Sequence, residues 1–155
     1  MCALNDETSR VLTENKTGFE MVKTLGENFL NFAKKSPHHY SAMRFLDSFK
    51  DTEQVQNSEY LELCTKNKEE SFRVMVRVIQ VGMQDGSINN SFNAEELALL
   101  LWATSQGVVN LAYIHENMGQ MKFLDDLGIS VERMLSGYMN LIGTGIRSDK
   151  VLSDS

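Results

Sequence analysis

Few residues in this 155-residue chain have the types and spacing that metal binding requires. His38 and His39 are adjacent, so on a helix their side chains would point about 100° apart, a poor geometry for chelating one ion. His115 has no second histidine or cysteine at ligand spacing. Asp125 and Asp126 lack further carboxylates nearby and fit a solvated turn better than a magnesium site. The sequence therefore predicts no metal site.

Residue patterns typical of catalysis are also missing from the sequence. A di-iron bundle enzyme needs Glu-x-x-His pairs, but the residues three positions before the histidines are Lys35, Ser36 and Ala112. Spacing supports no Ser-His-Asp or Cys-His pairing, and no Gly-rich phosphate loop occurs. We therefore expect neither enzyme activity nor a cofactor.

Charge, cysteine content and apolar run length narrow the class of protein. The formal net charge is -6 and the 15 Lys and Arg residues are scattered, so the chain offers little positive surface to a phosphate backbone. Cys2 and Cys64 do not resemble the framework of a secreted, disulfide-linked domain. The longest uninterrupted apolar run, residues 97–103, is too short to cross a bilayer, and no signal segment is present. We expect a cytoplasmic protein without membrane attachment.

Apolar residues recur at three- and four-residue steps along almost the whole chain, which predicts an all-helical fold. Thr17 and Glu20 have the spacing of a capping box, which would begin a first helix that ends near residue 35. Ser36 and Pro37 suit the cap and the first position of a second helix. The apolar face of that second helix would consist of Tyr40, Met43, Leu46 and Phe49.

A long helix is predicted after the polar loop at residues 51–57. It would begin after Ser58 and end at Asp85, because Gly86 can adopt the left-handed conformation that terminates helices.

The last two long helices carry more apolar surface than one bundle readily covers. Asn93 is predicted to cap the first of them, and residues 97–114 are apolar around most of its circumference. Ser130 introduces the second, which has a broad apolar stripe. The two helices either pack only on each other within one chain or form a four-helix interface in a symmetric dimer. We expect the dimer, and an all-α antiparallel bundle of about five to six helices.

Three stretches, in this order, resemble the C-terminal domain of TetR-type bacterial transcriptional regulators. Residues 29–37, followed by Tyr40, are similar to that family's helix that ends at a proline and restarts before an aromatic residue. Residues 82–88 are similar to the end of that family's long helix, where a glycine is followed by a polar residue paired with a second glycine and then by an isoleucine. Residues 101–108, followed by Leu111, look like its dimer-forming helix.

The resemblance covers about residues 17–146 and implies a ligand-sensing and dimerisation domain. Members of the family begin with a helix-turn-helix domain of about fifty residues, which has no counterpart in this chain. We therefore expect residues 1–16 to be a frayed tail of a connecting helix and residues 149–155 to be a disordered tail. Residues 17–148 would form the effector-binding and dimerisation domain, and DNA binding would belong to a missing helix-turn-helix.

The family's effector pocket lies inside each subunit's bundle, which implies a set of lining positions in this chain. These positions are Phe29, Phe32, Met43, Leu46, Phe72, Met75, Ile79, Trp102 and Ser105. Residues at helical spacing are equally well explained as plain core. Nine methionines support an adaptable pocket for a small, largely apolar effector, because the unbranched thioether repacks around varied shapes.

The expected dimer interface lies on the last two helices. Its predicted residues are Gln106, Asn110, Ile114, Met134, Tyr138, Leu141 and Ile142. An effector could be oriented by the polar side chains of the first of these helices, Ser105, Gln106, Asn110 or Tyr113. Gln106 and Asn110 could equally bond across the dimer. An alternative function is that of a stand-alone helical protein that binds a protein partner or a small ligand, without DNA binding.

Overall fold

The computed structural model describes residues 10–13, 15–36, 38, 40–41, 59–119 and 122–148. Within these ranges the chain forms a short 3-10 turn, Val11–Thr13, and five α-helices. The helices are α1 Gly18–Lys35, α2 Glu59–Asp85, α3 Ala94–Met118, α4 Phe123–Asp126 and α5 Val131–Ile146. Helix α1 packs against α2, α2 against α3, and α5 against both α3 and α1. The predicted all-α bundle is confirmed.

The predicted helix ends are confirmed by their capping geometry. Thr17 and Glu20 form a complete capping box, in which each side chain accepts a hydrogen bond from the other residue's backbone N–H. Helix α2 ends at Asp85, and Gly86 follows with a φ of 79°. The side chains of Asn93 and Ser130 each accept a hydrogen bond from the backbone N–H three residues on. These caps satisfy N–H groups that a helix leaves unpaired at its start.

The second predicted helix lies largely outside the described residues. Met43, Leu46 and Phe49 belong to that part of the chain, as do the loop at residues 51–57 and the tail at residues 149–155. The backbone N–H of Tyr40 donates to the carbonyl oxygen of Ser36 over 3.0 Å, which is the hydrogen bond of a helical turn.

Among the described residues, the hydrophobic core is concentrated at one end of the bundle, which we call the closed end. This end contains the start of α1, the end of α2, the start of α3 and the end of α5. Its buried residues are Val11, Met21, Val22, Leu25, Val78, Ile79, Ile88, Ala94, Leu97, Ala98, Leu101 and Ile146. Because Val11 is 1% exposed, the folded unit includes a residue from the predicted frayed tail.

The start of α1 is held at the closed end by the residues that terminate α2. The backbone N–H of Gly18 donates to Asp85 Oδ2 over 2.8 Å, and that of Phe19 donates to Ser87 Oγ over 3.0 Å. Asp85 Oδ1 also accepts from the backbone N–H of Ser87 over 2.9 Å. A carboxylate at a helix N-terminus is further favoured by the helix dipole. Asp85 therefore joins the end of α2 to the beginning of α1.

The same hydrogen bonds also change the pKa of the Asp85 carboxyl. Burial of the carboxyl opposes its ionisation, but the hydrogen bonds from Ser87 and Gly18 outweigh that effect and lower the pKa of Asp85. A carboxyl whose pKa is lower in the folded state stabilises the fold above its unfolded pKa. This contribution is lost as the pH falls through the folded pKa.

We predict that Asp85→Asn lowers the free energy of unfolding by about 1 kcal/mol at neutral pH, because the amide accepts with only one atom and carries no charge. The difference from the native chain should shrink below about pH 4, where the native carboxyl becomes protonated. Urea denaturation at a series of pH values measures this difference. Asp126→Asn in exposed α4 is the control and should change stability little. A stability gap that does not change with pH would contradict the role of charge.

Candidate ligand-binding site

The inward face of α1 continues beyond the closed end as an aromatic surface. Met21, Val22 and Leu25 are buried on this face. Phe29 and Phe32 follow on the same side, since each residue advances about 100° around a helix. Both phenylalanines are only half-buried. The solvent exposure of this face of α1 thus increases toward its C-terminal half.

Helix α2 shows the same change along its length. Val78 and Ile79 are completely buried, whereas Phe72 and Met75 on the same face are half-buried and pack against the core that contains Val78 and Ile79. The ring of Phe72 lies 6.4 Å from that of Trp102, centroid to centroid, at an interplanar angle of 56°. This tilted geometry is typical of favourable aromatic pairs. Trp102 remains 39% exposed.

Three helices bring their aromatic residues to one level of the bundle. Helices α1 and α2 meet at Gly18 and Gly82 and run in opposite directions. Phe29 lies about 16 Å along α1 from this meeting point, and Phe72 lies about 15 Å along α2 from it, at 1.5 Å per residue. The contact with Phe72 places Trp102 of α3 at that level too. We call this half of the molecule the aromatic end.

A second aromatic pair joins α3 to the segment after α1, farther from the closed end. The rings of Tyr40 and Tyr113 are 6.0 Å apart at 55°, and Tyr40 is buried. Val109 and Ala112 are buried on the same part of α3. The sequence predicted Tyr40 as part of an apolar stripe and as part of a stretch that resembles the TetR family. It did not predict Tyr40 as a lining residue of the site.

The nine predicted lining residues fall into three groups by their location. Six lie on inward faces at the aromatic end, namely Phe29, Phe32, Phe72, Met75, Trp102 and Ser105. Ile79 lies in the closed-end core and is fully buried. Met43 and Leu46 lie outside the described residues.

The aromatic end is largely apolar, and Ser105 contributes a hydroxyl that is already hydrogen-bonded. Ser105 Oγ donates to the carbonyl oxygen of Trp102 over 2.8 Å, so it is left to act as an acceptor. In the part of the chain that the structure describes, no group of three or more His, Cys, Asp or Glu residues could hold a metal ion. Such a surface can bind an apolar molecule by dispersion and ring contacts.

His115, near the end of α3, has a structural partner. Its Nε2 lies 3.2 Å from Asp125 Oδ1, and its side chain is mostly buried. This contact joins the last turn of α3 to α4.

The predicted interface residues of α3 lie away from its buried line. Gln106 and Asn110 share an arc of about 60° with Leu99 and Ala103, on the side opposite Leu101, by the 100° step of the helix. Ile114 lies close to the same arc. Leu99 and Leu100 are more than half exposed. We call this side of α3 the outer face.

The predicted interface residues of α5 are mostly directed into the chain. Tyr138 Oη lies 3.1 Å from Thr104 Oγ1 and donates to the carbonyl oxygen of Leu101 over 3.3 Å. Burial raises the pKa of Tyr138. Ile142 packs against the closed-end core. Met134 is half-buried, and Leu141 is 72% exposed. The apolar stripe of α5 is therefore largely covered within one chain.

Among the described helices, α3 alone meets the length and hydropathy expected of a membrane span. The segment 94–116 has a mean hydropathy of 1.5, and 28% of its most apolar window is buried. Helices of soluble bundles can meet the same criteria. Ser105, Gln106 and Asn110 put polar groups in the middle of α3, where a bilayer would leave them without water. We interpret α3 as a helix of a soluble bundle.

The comparisons with known proteins support the fold. No protein-family model matches the chain, and no curated protein matches it in sequence. Among solved structures, the chain is similar to a protein with unknown function from Rhodococcus sp. RHA1 at a TM-score of 0.67 and 16% identity. The match covers 94% of this chain and 68% of that chain. The chain therefore has a helical-bundle fold that also occurs within a longer protein.

Proposed function

We propose that the chain is the ligand-sensing and dimerisation domain of a TetR-type bacterial transcriptional regulator. It binds a small, largely apolar effector at the aromatic end and acts on DNA through a helix-turn-helix that lies outside this chain. The role is one of binding and not of catalysis. The proposal rests chiefly on one observation, which is that aromatic residues from three helices reach one level without being fully buried, with Phe29 and Phe72 half-buried and Trp102 39% exposed. Ordinary cores are close-packed, so this half of the bundle suits a ligand.

The residues that carry the family resemblance have defined structural roles, which supports the proposal. A Cβ atom on Gly82 would lie within 2.5 Å of Ile88 Cδ1, so glycine leaves room for the isoleucine six residues later. Gly86 takes the positive φ that ends α2, and Ile88 is buried. Gly82 and Ile88 at the end of α2 thus depend on one another, and Gly86 between them ends the helix.

Trp102 permits a direct test, because it is the chain's one tryptophan. We predict that excitation of Trp102 transfers energy to anilinonaphthalene sulfonate bound at the aromatic end. Phe72→Ala should weaken this binding at least about fivefold, since loss of one aromatic wall costs about 1–3 kcal/mol. A fluorescence titration gives the dissociation constant.

The matched control is Phe92→Ala, which removes an exposed phenylalanine from the turn between α2 and α3. It should leave probe binding unchanged. Equal weakening by the two substitutions would place the probe on general apolar surface and contradict the proposed site. Native mass spectrometry of the purified chain then shows whether a molecule from the expression host is retained.

A stand-alone interaction protein is the second candidate, and exposed apolar side chains favour it. Leu99 and Leu100 on α3, with Phe123 and Leu127 near α4, are more than half exposed. Such surface is typical of protein contacts. A chain that stays monomeric at micromolar concentration and retains no small molecule would favour this candidate.

A further inference from the structure

Exposed apolar side chains are clustered on α4, a short helix that buries none of its residues. Phe123 and Leu127 are more than half exposed, and Ile129 is exposed as well. Phe123 and Leu127 lie within an arc of about 40°, by the 100° step of the helix, so they share one face. We call these three residues the α4 patch. Large apolar side chains clustered at a protein surface mark a contact with another molecule.

Hydrogen bonds hold this connection in a defined shape, although little of it is covered. The backbone N–H of Gly128 donates to the carbonyl oxygen of Asp125 over 3.0 Å. The backbone N–H of Ile129 donates to the carbonyl oxygen of Leu124 over 2.9 Å, which completes a Schellman motif at the end of α4. The contact of His115 with Asp125 joins α4 to α3. The α4 patch is therefore preformed, which reduces the entropy lost on binding a partner.

The charged residues around the α4 patch are mainly acidic. Residues 116–132 contain four carboxylates and one lysine. Glu132 is paired with Lys34, and the guanidinium of Arg133 donates to a backbone carbonyl oxygen at the end of α4. Asp126 is exposed and projects next to the face that carries Phe123 and Leu127. An acidic margin favours a partner that carries positive charge.

The same charges argue against two other occupants of the α4 patch. A second copy of the chain has a net charge of -6, and a two-fold contact would place the acidic margin against itself. An anionic membrane surface would repel this margin in the same way. A basic segment of another protein gains from both the apolar contact and the opposite charge.

We propose that the α4 patch is a docking site for a segment of another protein that combines apolar side chains with Lys or Arg. The apolar side chains of this partner cover Phe123 and Leu127, and its basic groups lie beside Asp126. This inference goes beyond the proposed function and does not depend on it, because no residue of the α4 patch belongs to the aromatic end.

A short amphipathic peptide made of leucine and lysine is the probe, and its counterpart made of leucine and glutamate is the control. Fluorescence anisotropy with dye-labelled peptides gives the dissociation constant of each from the full chain. We expect the lysine peptide to bind at least about tenfold more tightly, with the difference shrinking at high salt. Equal binding of the two peptides, or no binding of the lysine peptide, would overturn the inference.

Two matched pairs of variants locate the bound peptide. Leu127→Ser should weaken its binding at least about fivefold, whereas Leu63→Ser, which removes a comparably exposed leucine from α2, should not. Asp126→Lys should weaken binding by a similar factor. Glu70→Lys makes the same change in net charge at an exposed position of α2 and should have a smaller effect. Equal weakening within either pair would mean that the peptide binds without regard to the α4 patch and would overturn the inference.

The variant Leu127→Ser also tests the other two occupants. Because α4 buries no residue, this variant should keep native circular dichroism. We expect it to have the same mass as the native chain in sedimentation equilibrium, and we expect neither chain to sediment with vesicles of phosphatidylcholine and phosphatidylserine. Loss of a native dimer in Leu127→Ser would make the α4 patch a contact between copies. Sedimentation of the native chain alone with the vesicles would make it a lipid contact, and either result would overturn the inference.

Discussion

Gly18→Ala is expected to lower the free energy of unfolding by about 3 kcal/mol, the largest effect of a single methyl group in this chain. A Cβ atom at Gly18 would overlap the backbone N and Cα atoms of Gly82 and would lie 2.9 Å from the carbonyl oxygen of Val78. Backbone atoms cannot rotate away as a side chain can. Relief would require α1 and α2 to separate, which would also break the hydrogen bond from Gly18 to Asp85.

Gly137→Ala is the matched control for this substitution. Gly137 lies inside α5, and an added Cβ would meet nothing within 4 Å. Alanine there should raise the free energy of unfolding by about 0.5–1 kcal/mol, through helix propensity and a less flexible unfolded chain. Chemical denaturation of both variants gives the two values. A Gly18→Ala variant as stable as the native chain would show that the two helices are not held at this distance.

The sequence was sufficient to predict the four long helices α1, α2, α3 and α5 because their ends are local, whereas the short helix α4 was interpreted as a turn. Thr17 with Glu20, and Asn93 with the residues after it, form caps within three positions of each other. Gly86 ends α2 through its own backbone conformation. None of these features depends on the rest of the fold.

The long-range features were not predictable in the same way. The cap on α1 joins Gly18 to Asp85 across 67 positions, and no sequence pattern links the two residues. From the sequence alone, Gly18 looks like an ordinary helical residue. Only the folded chain shows that the backbone of Gly82 lies against it. Val11 likewise enters the core through contacts that only the folded chain provides.

The sequence predicted only part of the candidate site, because helical spacing is local whereas the packing along a helix face depends on the whole fold. Helical spacing identifies the inward faces that carry Phe29, Phe72 and Trp102. Spacing does not show where along those faces the packing is tight. Ile79 and Met75 are four residues apart on one face, yet Ile79 is a fully buried member of the closed-end core and Met75 packs against that core while only half-buried. The boundary between core and site is set by how α1, α2 and α3 pack.

Leu99→Glu is expected to weaken the proposed homodimer at least about 100-fold. Leu99 lies on the outer face of α3 and is 52% exposed in the single chain. In a dimer built on this face, the substitution would bury a carboxylate against apolar side chains, at a cost of about 3 kcal/mol or more. Sedimentation equilibrium over a range of concentrations gives the dissociation constant of the native chain and of the variant.

Leu63→Glu distinguishes a specific interface from general loss of apolar surface. Leu63 lies on α2 and is 51% exposed, so the two positions differ in location but hardly in exposure. If the outer face of α3 forms the dimer, Leu63→Glu leaves the dissociation constant unchanged and Leu99→Glu yields folded monomers with native circular dichroism. Equal weakening by both substitutions would mean that self-association is nonspecific. A native chain that is already monomeric at micromolar concentration would contradict the homodimer directly, and the exposed leucines of α3 would then need a different protein to cover them.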